Sequence, residues 1–359
     1  MKLPRHMELW GPGYVHDRWS RLARPSKPRR VWLMIADHFE PFWGRASAAV
    51  AKERVQRWAI AWPKIAEGAG RDSAGNQPCY TFFYPEEEYH PEFLDQLAAM
   101  HELGISDVEI HIHHDGEPRD AFIGRMCGFR DTLRLRHGLL RSLEGKTTFG
   151  FIHGNWALDN SLPGGRACGL NDEITILRDL GCYADFTMPS GNSPSQAQMV
   201  NVIYWAKDDP SRPKSYSTGI TLTPGRVRDG DLLMIPGPLG LRWADRAIPR
   251  METGEIAAND APTRYRVRRW LALAPRIGHD VFIKLHTHGA QEKNSAALLG
   301  RDLQRLFTLF GEECRRRQCE FYFVSAWQMY LAIEALRVTK DPVAAAEGAS
   351  STAATGVSP

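Results

Sequence analysis

The sequence lacks the features that mark several large classes of protein. It contains no apolar stretch of 18 residues and no apolar core behind Met1 to Met7, so it predicts neither a membrane span nor a secretion signal. The formal net charge is only +3, and the short basic runs are typical of solvated helix faces, which argues against nucleic acid as a partner. We therefore expect a soluble, cytoplasmic protein.

Cysteines and the common catalytic motifs are also scarce. The six cysteines form no CxxC pair, and the chain is too long to depend on disulfide bonds, so we expect reduced, mostly structural thiols. There is no GxSxG, no P-loop, no GxGxxG and no HExxH. These absences argue against the usual serine hydrolases, nucleotide-binding folds and helical zinc proteases.

The order of apolar runs predicts an α/β fold. With 359 residues and 43% apolar residues, the chain can form one large core. Short apolar runs alternate with longer periodic ones, which predicts βα units around a parallel sheet. The predicted strands are Val31–Ala36, Cys79–Tyr84, Val108–His113, Thr147–Ile152, Ala184–Met188, Leu232–Ile235, Val281–Leu285 and Phe321–Val324, and the predicted helices span 48–67, 91–103, 119–140, 171–180, 263–277, 292–316 and 326–337.

Composition also predicts the limits of the domain. Residues 1–28 are rich in proline and arginine and predict an irregular arm packed on the domain by Trp10 and Trp19, whereas 339–359 have little to bury and predict a disordered tail. Between them, 29–338 form the main domain. Its stretch 189–262 is rich in proline, glycine and aspartate and predicts a long insertion over the edge of the sheet. We expect at least one aromatic residue of this insertion near the site.

Histidine gives the clearest functional signal. Seven of the thirteen histidines fall in four short segments, each at the end of an apolar run: Ile35 to Glu40, Glu109 to Asp115, Phe151 to Trp156, and Leu285 to Gly289. Parallel strands deliver their carboxyl ends to one edge of a sheet, where active sites collect. The pattern therefore predicts a metal-dependent hydrolase.

The first two segments contain the predicted metal ligands. His111 and His113 are two residues apart on a strand, so they point to the same face and can converge on one ion, whereas His114 points away. His38 is a candidate third imidazole, and Asp37 is a candidate ligand or general base. The alternatives are a polar strand edge for the histidines and a helix cap or loop anchor for Asp37.

Three further residues are candidates for proton transfer and its support. His286 and His288 repeat the same-face spacing, and they are interpreted as a general acid and a substrate contact, or else as further ligands. Asp185 ends another predicted strand and can orient a catalytic histidine, as carboxylates commonly do.

The segment from His153 to Trp156 is a candidate for substrate binding. Continued to Asn160, the segment offers a glycine, the amide of Asn155, an indole and an acid, which suits a sugar ring held by stacking and hydrogen bonds. Trp156 is also compatible with ordinary packing in the core.

In their order, these segments resemble the NodB-homology polysaccharide deacetylases over about residues 30 to 330. The resemblance implies a distorted (β/α) barrel of about seven parallel strands and a divalent metal, with zinc as the expected ion. Asp37 stands where the family has its catalytic base, and His38 where it has a ligand aspartate. His111 and His113 stand where it has two metal-binding histidines.

The remaining correspondences complete the implied site. The segment 153–156 replaces the family's substrate-groove Arg-Pro, Asp185 replaces the acid that orients catalytic residues, and His286 replaces the catalytic acid. The chain departs from the family in three ways: a histidine replaces the second aspartate, the histidine spacing is H-x-H instead of H-x-x-x-H, and the groove arginine is absent.

The resemblance implies removal of an acetyl group from an N-acetylated sugar or polysaccharide precursor, by a carboxylate base, a histidine acid and a metal ion. Two alternatives remain. The first is a hydrolase of small amides or ureides on the same scaffold, favoured by the absence of a secretion signal. The second is a catalytically inactive carbohydrate-binding or scaffold protein in polysaccharide assembly.

Overall fold

The computed structural model describes residues 4–23, 27–244 and 248–352. Its α-helices are α1 Met7–Ala23, α2 Ala48–Gly68, α3 Pro91–Glu102, α4 Arg119–Leu135, α5 Glu173–Asp179, α6 Arg264–Leu273, α7 Glu292–Ala297, α8 Leu303–Arg317, α9 Ala326–Arg337 and α10 Pro342–Thr352. A π-helical turn, Leu298–Asp302, joins α7 to α8. All seven predicted helices are present, although α4 and α6 end earlier than expected.

All eight predicted strands are present too, with additional short strands between them. The strands are β1 Arg30–His38, β2 Tyr80–Pro85, β3 Ser106–Ile112, β4 Arg141–Leu143, β5 Lys146–His153, β6 Cys182–Asp185, β7 Tyr204–Ala206, β8 Gly219–Thr221, β9 Leu232–Met234, β10 Gly240–Ala244, β11 Ile248–Glu252, β12 Arg276–Ile277, β13 Asp280–Thr287 and β14 Glu320–Phe323.

Most strands join one large sheet. Its order is β12-β13-β1-β2-β3-β5-β6-β9-β7-β8, with β14 beside β1 and β4 beside β5. Pairing is parallel from β13 through β9, whereas β12, β4, β7 and β8 pair antiparallel. The α/β class with a parallel sheet is confirmed. The predicted barrel is not confirmed, because within the described ranges no pairing joins the two ends of the sheet.

Strand β1 lies at the centre of this sheet and is buried on both faces, as is usual for parallel strands. Leu33 and Ile35 pack in the core cluster on one face, and Met34 packs in the cluster on the other. This alternation continues to the end of the strand. Asp37 therefore shares the face of Ile35, and His38 points to the opposite face.

Part of the stretch 189–262 extends the sheet, whereas the sequence predicted an insertion lying over its edge. Strands β7 and β8 extend the sheet edge beside β9, and β10 and β11 form a separate hairpin. Tyr204, Trp205 and Tyr216 are buried in the core, and Trp243 on the hairpin is exposed. Near its end, Ile256 donates a backbone hydrogen bond to the His286 carbonyl, so this segment borders the site by its backbone.

Both terminal predictions need correction. Residues 7–23 form α1, with Trp10 buried against Val200 and Leu239, so the described part of the arm is helical and not irregular. Residues 342–352 form α10, with Ala346 buried against the core, so the predicted disorder of 339–359 is wrong for this part. Residues 353–359 lie outside the described residues.

Candidate functional site

The histidines singled out in the sequence lie at one edge of the sheet. His38 is the last residue of β1, His111 lies in β3, and His286 lies in β13. His113 and His288 follow directly after β3 and β13. Because these strands run parallel, their carboxyl ends meet at the same edge, as the sequence predicts.

Each of these five side chains, called the edge cluster below, lies near at least one of the others. The ring centroid of His38 lies 4.9 Å from that of His288, 5.1 Å from that of His111 and 6.3 Å from that of His286. The rings of His111 and His113 are 4.7 Å apart. The two-residue spacing on β3 thus brings both imidazoles to the same side.

A carboxylate that sequence reasoning missed completes the edge cluster. Glu40 Oε1 lies 3.3 Å from His111 Nε2 and 3.6 Å from His113 Nε2. One ligand atom from each of His38, Glu40 and His111 can be chosen so that all three lie within 4.8 Å of one another. The available signal was the position of Glu40 two residues beyond His38, just after the strand.

His111 is the most informative member of the cluster. Its side chain is 0% exposed, and neither ring nitrogen makes a hydrogen bond to any described residue. The 3.3 Å approach of Nε2 to Glu40 lacks hydrogen-bond geometry. Buried polar groups are almost always hydrogen-bonded, so a ring without partners suits a role as a metal ligand.

The protonation states of His38 and Glu40 suit metal binding. Burial, followed by the charge of His288, holds the pKa of His38 well below its usual range, so its imidazole is neutral at pH 7. Burial alone would raise the pKa of Glu40, but its contact with His111 and nearby imidazole charge hold that pKa below its ordinary value. A neutral imidazole and an ionised carboxylate are the forms that bind metals.

His113 is positioned by a second glutamate. Its Nδ1 contacts Glu87 Oε1, and its backbone N–H donates to Glu87 Oε2 at 3.3 Å. Burial alone would lower the pKa of His113, but the hydrogen bond and charge of Glu87 outweigh burial and raise it. Nε2 is left to face Glu40, so His113 can hold or deliver a proton at that atom.

Asp37 lies on the other side of β1 from the histidines. Its Oδ1 accepts a 2.6 Å hydrogen bond from Gly289 N, and its Oδ2 accepts a 2.9 Å bond from the Tyr80 hydroxyl. Burial raises the pKa of Asp37 to about 8. The structure does not bring Asp37 into the edge cluster, and its contacts support the backbone directly after His288.

Asp185 and His286 are not brought together either. The Asp185 carboxylate accepts hydrogen bonds from the backbone N–H of Thr187 at 3.0 Å and from its hydroxyl at 2.7 Å. Thr187 Oγ1 in turn accepts from the backbone N–H of His153 at 2.9 Å. His286 is 6% exposed, and its Nδ1 has no hydrogen-bond partner among the described residues. Asp185 therefore positions the end of β5, and it does not orient His286, the predicted general acid.

Trp156 forms a wall of the edge cluster. Its ring centroid lies 5.4 Å from that of His38 and 5.9 Å from that of His288, and the side chain is only half-buried. Asn155 beside it is exposed, and both residues have left-handed backbone conformations. Two predicted substrate contacts, Trp156 and His288, thus lie next to the candidate metal ligands.

A second cluster, called the closed cluster below, contains His114, His153, Cys168 and Glu173. All four are buried, and one ligand atom from each lies within 4.8 Å of the others, so the cluster can hold a metal ion. Sequence reasoning placed His153 among the substrate contacts and did not single out Cys168 or Glu173. Their spacing in the chain carries no recognisable ligand motif.

Comparison with known proteins adds no relative: no protein-family model matches the chain, and no curated protein matches it. Among the described residues, no helix combines the length and the apolarity that crossing a membrane requires. The resemblance to NodB-type deacetylases stays a prediction, and the functional interpretation depends on the geometry of the two clusters.

Proposed function

We propose that this chain is a metal-dependent hydrolase whose working ion is held by His38, Glu40 and His111. The observation that carries the proposal is the buried His111 ring: its nitrogens have no hydrogen-bond partner among the described residues, and ligand atoms of His38, Glu40 and His111 lie within 4.8 Å of one another. Two histidines and one glutamate are a usual ligand set of catalytic zinc, which keeps a coordination position open for water or substrate.

The edge cluster also has the access that a catalytic site needs. The side chain of His111 is 0% exposed, but those of Glu40 and His113 are 13% and 32% exposed. Trp156 and His288 are half-buried on the same side. A divalent ion bound here would polarise an acyl carbonyl and lower the pKa of a water ligand.

The surrounding residues supply proton transfer. His113, held by Glu87 at Nδ1, can accept or deliver a proton at Nε2. On the other side of His38, the ring of His288 lies closer than that of His286, at 4.9 Å against 6.3 Å. His288 therefore takes the role in proton transfer that the family resemblance assigns to His286. Because burial lowers the pKa of His288, its neutral ring would first accept a proton and then deliver it. Asp37 keeps His288 in place through Gly289.

The proposed substrate is an N-acetylated sugar, bound with its ring against Trp156. A half-buried indole between two imidazoles offers an apolar face with polar groups around it, which suits a sugar ring. The resemblance to polysaccharide deacetylases points to the same substrate class. A small amide or ureide is the alternative substrate, and a carbohydrate-binding protein without turnover is the alternative function.

The test begins with metal. The purified chain is stripped with a chelator, reloaded with zinc, and assayed for acetate release from a panel of N-acetylated sugars and small amides. The zinc-loaded protein should release acetate from at least one sugar, and His111→Ala should lose that activity together with one equivalent of metal.

His137→Ala is the matched control. His137 is also buried, but its Nδ1 contacts Asp95 at 2.8 Å and its Nε2 contacts the Tyr89 hydroxyl at 3.3 Å. This variant should keep its metal and its turnover. Turnover of amides alone would change the substrate class, and an edge cluster without affinity for zinc would leave only the binding protein.

A further inference from the structure

The closed cluster joins four separate parts of the chain. His114 follows β3, His153 ends β5, Cys168 lies in the loop after β5, and Glu173 begins α5. Their ligand atoms are close together: His114 Nε2 lies 2.9 Å from His153 Nε2 and 3.2 Å from Glu173 Oε1. His153 Nε2 lies 3.5 Å from the same oxygen, and Cys168 Sγ lies 3.3 Å from Glu173 Oε2.

We propose that the closed cluster is a second, structural zinc site, distinct from the edge cluster. Zinc bonds to nitrogen and oxygen of about 2.0–2.1 Å place the corners of a tetrahedron about 3.3 Å apart. The three measured nitrogen and oxygen separations, 2.9, 3.2 and 3.5 Å, lie on both sides of that value. Histidine, cysteine and glutamate are all ligands of zinc.

Neither neutral form of His114 pairs both of its ring nitrogens within this cluster. His153 Nδ1 contacts the Gly154 carbonyl oxygen, which only accepts, so Nδ1 carries the hydrogen and Nε2 presents a lone pair. A hydrogen on His114 Nε2 would leave its Nδ1 as a buried acceptor without a hydrogen-bond partner among the described residues. A hydrogen on Nδ1 would instead place two imidazole lone pairs 2.9 Å apart. A cation between the two lone pairs removes this repulsion and leaves the hydrogen of His114 on Nδ1, which faces Glu117 Oε1 at 3.8 Å.

The outer contacts match those that orient metal ligands. Glu173 Oε2 accepts a 2.6 Å hydrogen bond from Asp159 N, which leaves Oε1 directed at the two imidazoles. Cys168 Sγ accepts backbone N–H groups from Asn160 at 3.1 Å and Leu170 at 3.5 Å, and its thiol faces Glu173 Oε2 at 3.3 Å, so the sulfur is held beside the other three ligands. Such second contacts fix the orientation of the ligands of a metal ion. Binding displaces the Cys168 thiol proton, which is released to solvent.

The closed cluster is fully buried whereas the edge cluster is partly exposed, so the closed cluster suits a structural ion and the edge cluster a catalytic one. The side chains of His114, His153 and Glu173 are all 0% exposed, so four protein ligands leave no open position for a substrate. The site would fasten the loop after β5 to β3 and α5. That loop carries Trp156, so the structural ion would hold the wall of the edge cluster in place. This inference does not depend on the proposed hydrolase activity.

Cobalt is the probe for this site. The full chain, stripped and reloaded with Co²⁺, should show a near-ultraviolet thiolate-to-cobalt charge-transfer band, because Cys168 is the one sulfur ligand among the proposed ligands of both sites. Cys168→Ser should lose the band and lower its metal content by one equivalent. His111→Ala should keep the band while losing the other equivalent.

Cys182→Ser is the matched control. Cys182 is buried, as Cys168 is, but its Sγ donates to the Ala184 carbonyl and belongs to neither cluster. This variant should keep both the band and the metal. A cobalt-loaded wild-type protein without any thiolate band overturns the proposal even if Cys168→Ser fails to fold. Full metal content and an unchanged band in a folded Cys168→Ser would overturn it as well.

Discussion

Replacing His111 with leucine should stabilise the metal-free protein and should remove the stabilisation that zinc gives to the wild type at the edge cluster. The imidazole is fully buried and makes no hydrogen bond to a described residue. Leucine is close to histidine in size and fills the site without a polar atom. Without metal the substitution therefore removes an unsatisfied group, and with metal it removes a ligand.

The two effects are of similar size and opposite sign. A buried polar group without a partner costs about 1–3 kcal/mol, so the metal-free variant should be more stable than the wild type by up to roughly that amount. Zinc at a free concentration of 100 times its dissociation constant stabilises a protein by about 2.7 kcal/mol. The variant loses this second contribution, so its advantage should disappear or reverse when zinc is added.

The assay is guanidinium unfolding of both proteins, once with a chelator and once with zinc. Zinc bound at the closed cluster would stabilise both proteins alike, so the difference between them is the quantity compared. His137→Leu is the control. Because its imidazole has two hydrogen-bond partners, this variant should be less stable than the wild type in both conditions.

Two results would refute the reasoning. If zinc stabilises His111→Leu as much as the wild type, the His111 ring is not a ligand. If the metal-free variant is less stable than the wild type by about 2 kcal/mol or more, the buried ring has a partner whose loss is costly.

Three further predictions test other parts of the structure. A Cβ on Gly154 would lie 2.2 Å from the His113 ring, so Gly154→Ala should displace that ring. Turnover should fall about 10²-fold while the metal is retained. Gly124→Ala is the control, because its Cβ meets nothing within 4 Å, and it should leave turnover unchanged. Above about pH 8, where Asp37 is ionised, Asp37→Asn removes one of its two hydrogen-bond acceptors, so the unfolding free energy should fall by about 1–3 kcal/mol with partial activity kept. Unchanged stability with no turnover would make Asp37 the base after all. Burial alone would raise the pKa of Glu313, but its arginine partners lower that pKa from 4.5 to about 2, so the folded protein binds this proton more weakly than the unfolded chain. The stability from this group is present above pH 4.5 and lost as the pH falls toward about 2, and the urea midpoint of Glu313→Gln should therefore fall less between about pH 5 and about pH 3 than that of the wild type.

Local sequence patterns determined the secondary structure of the main domain and the meeting of the histidines. A helix or strand period is a local property, so all the predicted elements between Val31 and Arg337 are present. The convergence of His38, His111 and His288 followed from the parallel strands alone, because such strands end at one edge.

Predictions that depended on exact strand ends were less successful. Strand β1 was expected to end at Ala36 but continues to His38. A residue inside a strand must alternate with its neighbours, so Asp37 is turned away from the histidines that it was expected to serve. Glu40 lies beyond this longer strand, which brings it to the cluster in place of Asp37.

The ends of the chain and the closed cluster were decided only by tertiary contacts. The sequence predicted that Trp10 packs on the domain, and it does, but Trp19 is exposed and the arm is helical instead of irregular. The burial of Trp10 and Ala346 against the domain stabilises α1 and α10. His114 and Glu173 are 59 residues apart in sequence and 3.2 Å apart in space. No local pattern can encode such a contact, because it depends on how β3 and α5 pack after the whole sheet has formed.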